Sequence, residues 1–449
     1  MEQRQPQRGL RLRSDDRCAP VAGSILTPWG RTTELRTRKL APGSGIPRQE
    51  VVRNQRERLY AAVVAVASER GFEATTVAQV IDVCGISRSD FYKHFSNKSD
   101  CLSQAACALL EPTRQELEEA RGVGGGSAAE SVFLRFLELI AAQPAAARAC
   151  FVELQAAGRD GEVAAEGCFD ALFELVVELV VELPGRRRPE PLVRALVGGL
   201  CKLIHTRLYR REEAELPALG PELWSWLMSV KAPPVALEQP RRKRPPEGVR
   251  FTGYTASERI ARAVATVVAE KGFRSINTGD IAGEAAISLS TFYDHFTDKR
   301  DAVVAALEMS GAQMMASAVP AARRAGSWQE ATRALCESMC AYFAAEPAMA
   351  HLATVGAYEA GPPALSRRDR VIDSLAEMLA PAAAEDSAAP VVATEAVAAT
   401  VYALVREQVR KEGPQSLPAA VPLATYVTLV GFVGPERACA VANGGARRR

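Results

Sequence analysis

The chain has 449 residues, is 48% hydrophobic and 24% charged, and carries a formal net charge of +2. This length exceeds what a single hydrophobic core usually organises, and the composition excludes a wholly disordered chain. Because the net charge is close to zero, any affinity for nucleic acid must come from local basic patches. Two such patches are present, in residues 1–53 and in residues 241–250.

Both ends of the chain and one internal stretch have the composition of unstructured segments. Residues 1–45 are rich in Arg, Pro, Gly and Ser without periodicity, which predicts a disordered basic arm. Prolines among basic residues predict a linker at 233–250, and residues 439–449 are predicted to be a frayed tail. The start of the sequence lacks the apolar region of a signal peptide, and no apolar run approaches the roughly 20 residues that span a bilayer. We therefore expect a cytoplasmic protein without a membrane partner.

An internal repeat is the most informative feature of the sequence. Residues 57–100 recur at 258–301 with a constant offset of 201 and no gap. Weaker similarity continues beyond this segment, where residues 144–158 resemble residues 347–361. The sequence therefore predicts two similar units in tandem.

Within each copy the apolar residues follow a helical period. Leu59, Val63 and Val66 fall on one helix face, and Thr76 and Asn277 begin cap patterns that open a second helix. Alternating strand patterns are essentially missing. We predict an all-α fold of two repeats, each with a three-helix helix-turn-helix head followed by a larger helical body. The predicted heads and bodies are 46–102 and 103–232, then 251–303 and 304–438.

The first head is predicted to bind DNA through the helix that follows the turn at Gly85. A helix-turn-helix unit places its second helix in the major groove. Phe91 and Phe95 lie four residues apart and should face inward, which leaves the polar side chains outside. Arg88 is the best candidate base reader because a guanidinium can grip guanine O6 and N7, whereas the others would contact phosphates. The predicted contacts are Thr76, Ser87, Arg88, Ser89, Tyr92, Lys93, His94 and Lys98.

The second head keeps most of these positions but changes the most informative ones. The turn glycine becomes Ala286, which would cost about 1 kcal/mol if the position needs a positive φ. The candidate base reader becomes Leu289, and the neighbouring lysine becomes Asp294, which is unfavourable near phosphate but can accept from cytosine. The second head should therefore read a different half-site or bind weakly, which predicts an asymmetric operator. Its predicted contacts are Asn277, Thr278, Ser288, Ser290, Thr291, Tyr293, His295 and Lys299.

Several of these residues also have simpler interpretations. Tyr92 and Tyr293 could be core aromatics, although the phenylalanines already fill the inward face. His94 and His295 could make structural hydrogen bonds instead of phosphate contacts, and neither has a neighbouring second ligand for a metal. His205 is a single histidine on a helix, for which ordinary packing is the simplest interpretation and an effector pocket the alternative.

The sequence has no Gly-x-Ser-x-Gly, no His-Glu-x-x-His and no phosphate-binding Gly-rich loop before a helix. Its ten cysteines form no Cys-x-x-Cys pair and no Cys/His cluster with zinc spacing. We therefore predict that the protein is not an enzyme and has neither a cofactor nor a metal site.

The chain resembles the TetR/AcrR family of bacterial transcriptional regulators at four places in the first copy and at the matching positions of the second. In the first copy these are Gly71–Phe72, Ile86–Ser87, Phe91–Phe95 and Lys98–Asp100. The resemblance implies a three-helix DNA-binding head on an all-helical body that binds a small, often apolar effector. It also implies that the body dimerises through its last two long helices. Family members carry one unit per chain and act as homodimers, whereas this chain carries two. The implied dimerisation helices are 190–211 with 220–231, and 394–412 with 420–433.

These features together predict a DNA-binding transcriptional repressor that associates with the nucleoid and leaves its operator when an effector binds. The two bodies should pack as an intramolecular pseudo-dimer, with a homodimer as the alternative. The two recognition helices would then meet successive major grooves about 34 Å apart. The alternative function is a ligand-sensing or protein-interaction module in which one or both heads no longer bind DNA.

Overall fold

The computed structural model describes residues 23–40, 45–121, 127–181, 188–238, 255–386 and 392–444. Within these ranges the chain is almost entirely helical, which confirms the predicted all-α class. The exception is a small hairpin near the start, in which strand β1 (Leu26–Thr27) pairs antiparallel with strand β2 (Gly30–Arg31).

The first unit consists of a head, a connecting helix and a body. The head contains α1 (Arg48–Arg70), α2 (Val77–Cys84) and α3 (Arg88–His94), and α4 (Lys98–Ala120) leads into the body. The body continues with α5 (Ala128–Ala142), α6 (Pro144–Arg148), a π-helical turn (Ala149–Glu153), α7 (Arg159–Val181), α8 (Glu190–Arg210) and α9 (Leu216–Ser229).

The second unit repeats this order. Its head contains α10 (Ala256–Lys271), α11 (Thr278–Glu284) and α12 (Leu289–His295). The rest of the unit consists of α13 (Lys299–Arg323), α14 (Trp328–Ala345), α15 (Pro347–His351), a π-helical turn (Leu352–Gly356), α16 (Ala357–Ala360), α17 (Pro362–Asp386), α18 (Val392–Glu412), a 3₁₀ helix (Pro414–Ala420) and α19 (Val421–Ala442).

The short helices of the heads begin at the capping residues that the sequence predicts. Thr76 and Gln79 form a reciprocal capping box at the start of α2, and Asn277 and Asp280 form its counterpart at α11. Ser87 caps α3 by accepting a hydrogen bond from the backbone of the third helical residue. The local sequence therefore fixes where both helix-turn-helix units start.

Each head has its own hydrophobic core, whereas the two bodies share one. In the first head, Leu59, Phe72 and Phe91 are fully or almost fully buried among α1, α2 and α3. In the bodies a single cluster continues from α5 and α8 of the first unit to α14, α18 and α19 of the second. The bodies therefore form one packed entity.

Helices α8 and α18 form the centre of the contact between the units. They approach so closely at Gly199 that a Cβ atom there would lie 2.1 Å from Oγ1 of Thr400. Farther along, Arg207 holds Glu395 with two hydrogen bonds of 2.7 Å. The helices that would join two subunits of a homodimer thus pack against each other within one chain.

The prediction of a disordered arm is wrong for residues 23–40. The hairpin and the following turn lie on the first head, where Leu35 is completely buried and the Trp29 ring packs 5.3 Å from that of Tyr60. Arg36 also binds the carboxylate of Asp82 at 2.6 Å. These two apolar side chains anchor the segment despite its polar composition. Residues 1–22 and 41–44 lie outside the described residues.

The first part of the predicted linker also packs on the body of the second unit. Asn443 donates to the carbonyl of Ala236 at 3.1 Å and accepts from the backbone of Glu238 at 2.8 Å. The chain therefore stays attached to α19 through residue 238, whereas the rest of the predicted linker lies outside the described residues.

Two helical segments in the described part of the chain are long and apolar enough to cross a membrane, Lys299–Arg323 and Pro414–Ala442. The second is largely buried in the shared core, and the first packs on α14 and α17. Buried helices of globular proteins commonly have this composition, which explains the second segment by packing inside the protein.

Candidate nucleic-acid interface and body cavity

The recognition helix α3 exposes the side chains that the sequence predicts. Phe91 is buried beneath it, whereas Ser87, Arg88 and Ser89 are exposed at its N-terminus. Tyr92 is 49% exposed, which rules out the alternative of a core aromatic. The exposed face of α3 therefore presents hydroxyl groups and a guanidinium on one side of the head.

Lys93 also lies on this exposed face. It pairs with Asp90 at 2.7 Å, and this contact, together with a hydrogen bond from Ser87, lowers the pKa of the Asp90 carboxyl. An exposed ion pair of this kind contributes little to stability. Lys93 can therefore exchange its partner for a phosphate at small cost.

His94 has a structural role in the first head. Its Nε2 atom lies 2.9 Å from Oε1 of Gln55, which ties α3 to α1. Burial lowers the pKa of the His94 ring, and the nearby Arg56 acts in the same direction. In the second head Nδ1 of His295 lies 3.2 Å from the hydroxyl of Ser257. In the described part of the chain, no three His, Cys, Asp or Glu side chains are arranged to hold a metal.

Lys98 and Lys299, two of the predicted phosphate contacts, bind backbone carbonyls within their own heads, and their contact with phosphate stays a prediction. The ammonium group of Lys98 donates to the carbonyls of Phe72 and Thr75 at 2.8 and 2.7 Å. That of Lys299 donates to the carbonyls of Phe273 and Ile276 at 2.9 and 2.8 Å. Both lysines therefore close the turn between the first two helices of their head, because that turn leaves backbone carbonyls without helical partners.

The second recognition helix, α12, has the same shape and a different surface. Leu289 is 49% exposed and Tyr293 is 55% exposed, and Asp294 is also on the surface. The Tyr293 hydroxyl lies 3.1 Å from that of Thr278 at the start of α11. The polar groups Ser288 and Ser290 remain available, but this face has lost both cations of its counterpart.

A carboxylate connects each head to its own body, buried in the first unit and partly buried in the second, and the sequence did not predict it. Glu153, at the end of the π-helical turn, accepts from the backbone N–H of Phe72 at 2.7 Å. Glu359 makes the same contact with the backbone of Phe273 at 2.7 Å. Burial raises the pKa of Glu153, while the Phe72 N–H and Arg148 act in the opposite direction. A glutamate near the start of the Ala-rich body helices carries no local sign of this long-range role.

The two heads also contact each other. Arg300, at the start of α13, binds the carboxylate of Glu73 at 2.8 and 3.0 Å. The guanidinium of Arg274 lies over the ring of Phe72 with its carbon 5.0 Å from the ring centre. These contacts limit how the heads are oriented relative to each other.

The first body contains a partly open cavity of about 1770 Å³. Its walls come from α4, α5, α7 and α8, and the second unit closes it with α18 and the segment that follows. This volume exceeds the 300–1,000 Å³ of ordinary small-molecule sites. Apolar side chains in the wall include Leu109, Phe136, Ile140, Phe151, Leu172 and Leu423.

A cluster of buried charges lies where this cavity meets the second unit. Lys202 of α8 pairs with Asp369 of α17 at 3.0 Å, and Arg368 contacts the same carboxylate at 2.7 Å. The rings of Tyr358 and Tyr402 pack against the Arg368 guanidinium, whose carbon lies 4.5 and 5.0 Å from their centres. We call these five residues, together with His205 and Arg406, the inter-unit cluster. Its members are Lys202, His205, Tyr358, Arg368, Asp369, Tyr402 and Arg406.

The sequence did not predict the inter-unit cluster, although the pattern of α8 contains one sign of it. Lys202, His205 and Thr206 fall on one buried face of α8, where polar side chains are unusual. The remaining members come from the second unit and are separated by more than 150 residues, so no sequence spacing relates them to α8.

Residues 59–105 and 260–306 each match the family model described as bacterial regulatory proteins, tetR family. The chain carries two TetR-like units in tandem. These matches support a DNA-binding transcriptional regulator. No curated protein matches the chain.

Solved structures of TetR-type regulators are similar to parts of the chain. FadR from Bacillus halodurans is 18% identical, with 41% of this chain and 97% of that one covered at a TM-score of 0.35. PfmR from Thermus thermophilus, a TetR family transcriptional regulator, is 20% identical, with 41% and 99% covered and a TM-score of 0.33. FadR from Bacillus subtilis, solved in complex with stearoyl-CoA, is 17% identical, with 38% and 96% covered and a TM-score of 0.33.

Proposed function

We propose that this protein is a cytoplasmic repressor in which one chain brings two unlike heads to one operator. The observation that carries the proposal is the packing of α8 against α18 within the chain, since it joins the two bodies without a second subunit. The two recognition helices would enter successive major grooves about 34 Å apart on the same face of the duplex.

The first head is proposed to supply most of the sequence specificity. Arg88 would read a guanine, while Ser87, Ser89 and Tyr92 would hold neighbouring phosphates. The second head would contribute phosphate contacts through Ser288, Tyr293 and their neighbours, with Leu289 against an apolar base edge such as a thymine methyl. The operator would then have two unlike halves.

Release from DNA is proposed to begin in the body cavity. Phe151 lines the cavity and lies in the same π-helical turn as Glu153, whose carboxylate holds the backbone of Phe72 in the head. A ligand that shifts this turn would move the first head relative to the second. It would thereby favour a head spacing that does not match the operator.

The proposal is tested by gel-shift titration on DNA from upstream of the protein's own gene. Tyr92→Phe removes one phosphate donor and should weaken binding to every bound sequence about fivefold. Arg88→Ala should relax base preference at one operator position at a cost of about 1–3 kcal/mol. Lys411→Ala, on the body, is the matched control and should leave affinity unchanged. Unaltered affinity and specificity in both head variants would refute the assignment of α3 as the reading helix.

A second candidate function is favoured by the surface of α12. Because Leu289 and Asp294 replace the two cations of α3, the second head could have lost its affinity for DNA and serve as a sensing or interaction module. Tyr293→Phe distinguishes the two functions. A fall in operator affinity supports two reading heads, and unchanged affinity supports the degenerate head.

A further inference from the structure

The inter-unit cluster holds more positive than negative charge. Lys202, Arg368 and Arg406 are its basic side chains, whereas Asp369 is the carboxylate that faces them. Burial and the neighbouring Arg368 lower the pKa of Lys202, and Asp369 acts in the opposite direction. Burial opposes ionisation of the Tyr358 hydroxyl, but Arg368, Arg406 and Lys202 outweigh it and lower the pKa to about 8. At pH 7 the phenol is therefore mostly protonated and does not balance the excess. Buried charges without partners are costly, so such an excess favours binding of an external anion.

Several polar groups of this cluster lack partners on the cavity side. Lys202 uses its ammonium for Asp369 and for the Thr206 hydroxyl at 2.8 Å, which leaves one of its three donors. His205 lines the cavity and is 2% exposed, yet neither ring nitrogen has a hydrogen-bond partner among the described residues. A buried histidine with two unpaired nitrogens needs an explanation, and a missing ligand is one.

Arg406 approaches the same region from α18. It donates to Oε1 of Gln155 at 2.6 Å and to the carbonyl of Thr354 at 3.2 Å, so it joins the two units at the cavity wall. Its third nitrogen, Nη1, has no hydrogen-bond partner in the described part of the chain. Lys202, His205 and Arg406 therefore present donors from both units to one wall of the cavity.

Three of the carboxylates that also line the cavity are paired with cations outside the inter-unit cluster. Glu166 pairs with Arg410 at 2.5 Å, and Glu190 pairs with Arg194 at 3.0 Å. Glu407 likewise pairs with Lys411 at 2.6 Å. These three acids therefore do not balance the charge of the inter-unit cluster.

We propose that the cavity binds an amphipathic anion, whose acidic group lies against Lys202, His205 and Arg406 and whose apolar part fills the space lined by α4, α5 and α7. The site is complete only when both units are present, because Arg406 and Tyr402 belong to the second. The effect of this binding on regulation rests on the proposed function, whereas the binding itself does not depend on DNA.

The test compares two fluorescent probes that differ in one anionic group. 1-Anilinonaphthalene-8-sulfonate carries a sulfonate, and N-phenyl-1-naphthylamine is its uncharged analogue. The full-length protein should bind the sulfonate at least about tenfold more tightly, as expected for charge-assisted hydrogen bonds. Equal affinity for the two probes would overturn the proposal.

Variants locate the anionic group. Arg406→Met and His205→Phe should each lower affinity for the sulfonate severalfold and leave affinity for the uncharged probe unchanged. His205→Phe keeps the ring that stacks on Tyr209, and it loses no hydrogen bond, so folding should be preserved. Lys411→Met removes a more exposed cation of the same cavity and is the matched control. Equal loss in the control and the cluster variants would show unspecific attraction and contradict the site.

Competition distinguishes the sources of the anion. Hexadecanoate, hexadecyl phosphate and hexadecanol are each titrated against bound sulfonate probe. Displacement by either anion at lower concentration than by hexadecanol supports the site and shows which head group it prefers, whereas displacement by the alcohol at equal concentration contradicts it. Gel shifts on the same preparations keep the two proposals apart. Anion binding without operator binding refutes the proposed function, and operator binding without anion preference refutes this inference.

Discussion

Ala286 and Gly85 occupy the same position in the two helix-turn-helix units, and both have a left-handed backbone. Their φ angles are +52° and +63°. The backbone N–H of the residue after each donates to the equivalent carbonyl of the preceding helix in its own head, at 3.0 and 3.3 Å. The turn therefore needs a positive φ in both heads. Alanine pays a steric penalty of about 1 kcal/mol in this conformation, whereas glycine does not.

Ala286→Gly should therefore stabilise the second head by about 0.5–1 kcal/mol. Hydrogen–deuterium exchange measures the effect locally, as slower exchange of amides in α11 and α12 with no change in α3. Gly85→Ala is the reciprocal variant and should speed exchange in α2 and α3, since its Cβ would also lie 3.1 Å from Cγ of Arg36. Faster exchange of α12 in the Ala286→Gly variant would contradict the strain argument.

Tyr358 should ionise at unusually low pH for a buried tyrosine. The three cations around it lower the pKa of its hydroxyl to about 8 despite burial, whereas burial raises the pKa of Tyr342. Absorbance at 295 nm should show one tyrosinate forming near pH 8 in the native protein. This step should disappear in Tyr358→Phe and persist in Tyr342→Phe. Absence of tyrosinate below pH 9.5 in the native protein would contradict the excess positive charge.

At the scale of elements, α8 and α18 determine whether the two bodies hold together. Gly198 and Gly199 allow the backbones to approach, since a Cβ at the first would lie 2.9 Å from that of Ala403. At Gly199 a Cβ would meet both the side chain and the backbone of Thr400. Neighbouring backbone cannot move aside as a flexible side chain can, so this contact is sensitive to one methyl group.

Gly199→Ala should destabilise the protein by about 2 kcal/mol, although alanine favours helices, because overpacking outweighs propensity. Gly167→Ala is the matched control: Gly167 is exposed in α7 with nothing within 4 Å of a Cβ, so stability should rise by about 0.5–1 kcal/mol. Urea denaturation followed by circular dichroism measures both. A stabilising effect of Gly199→Ala would show that the helices do not pack this closely.

The elements that the sequence predicts best are those with local signals. The caps at Thr76, Ser87 and Asn277 and the buried stripe of Phe91 and Phe95 place both recognition helices, because caps and helical period depend on adjacent residues. The sequence did not predict the folded segment 23–40, because its two apolar contact residues, Trp29 and Leu35, form no periodic pattern in a polar stretch.

Contacts between distant residues could not be predicted. The backbone contacts of Lys98 and Lys299 were not predicted because the acceptors are carbonyls of a turn more than 20 residues earlier, which sequence does not reveal. The inter-unit cluster depends on α8 meeting α17 and α18, and thus on the tertiary arrangement. The exposed face of α3, by contrast, follows from helical period alone.

At the scale of the whole molecule, duplication within one chain removes the symmetry of a homodimer. Two identical heads must read identical half-sites, whereas α3 and α12 are free to differ, and they do at the positions of Arg88 and Leu289. Each unit also has the other unit of the same chain as its partner, because the two bodies share one core and Arg300 contacts Glu73. One chain should therefore suffice for one operator, at any protein concentration.

The stoichiometry of the DNA complex tests this account most directly. Light scattering of the purified complex, with footprinting on the same operator, gives the number of chains per duplex and the bases each protects. We predict one chain per operator and two protected half-sites of unlike sequence about 34 Å apart. Two chains on a palindromic operator would contradict the claim that a single chain supplies both reading heads.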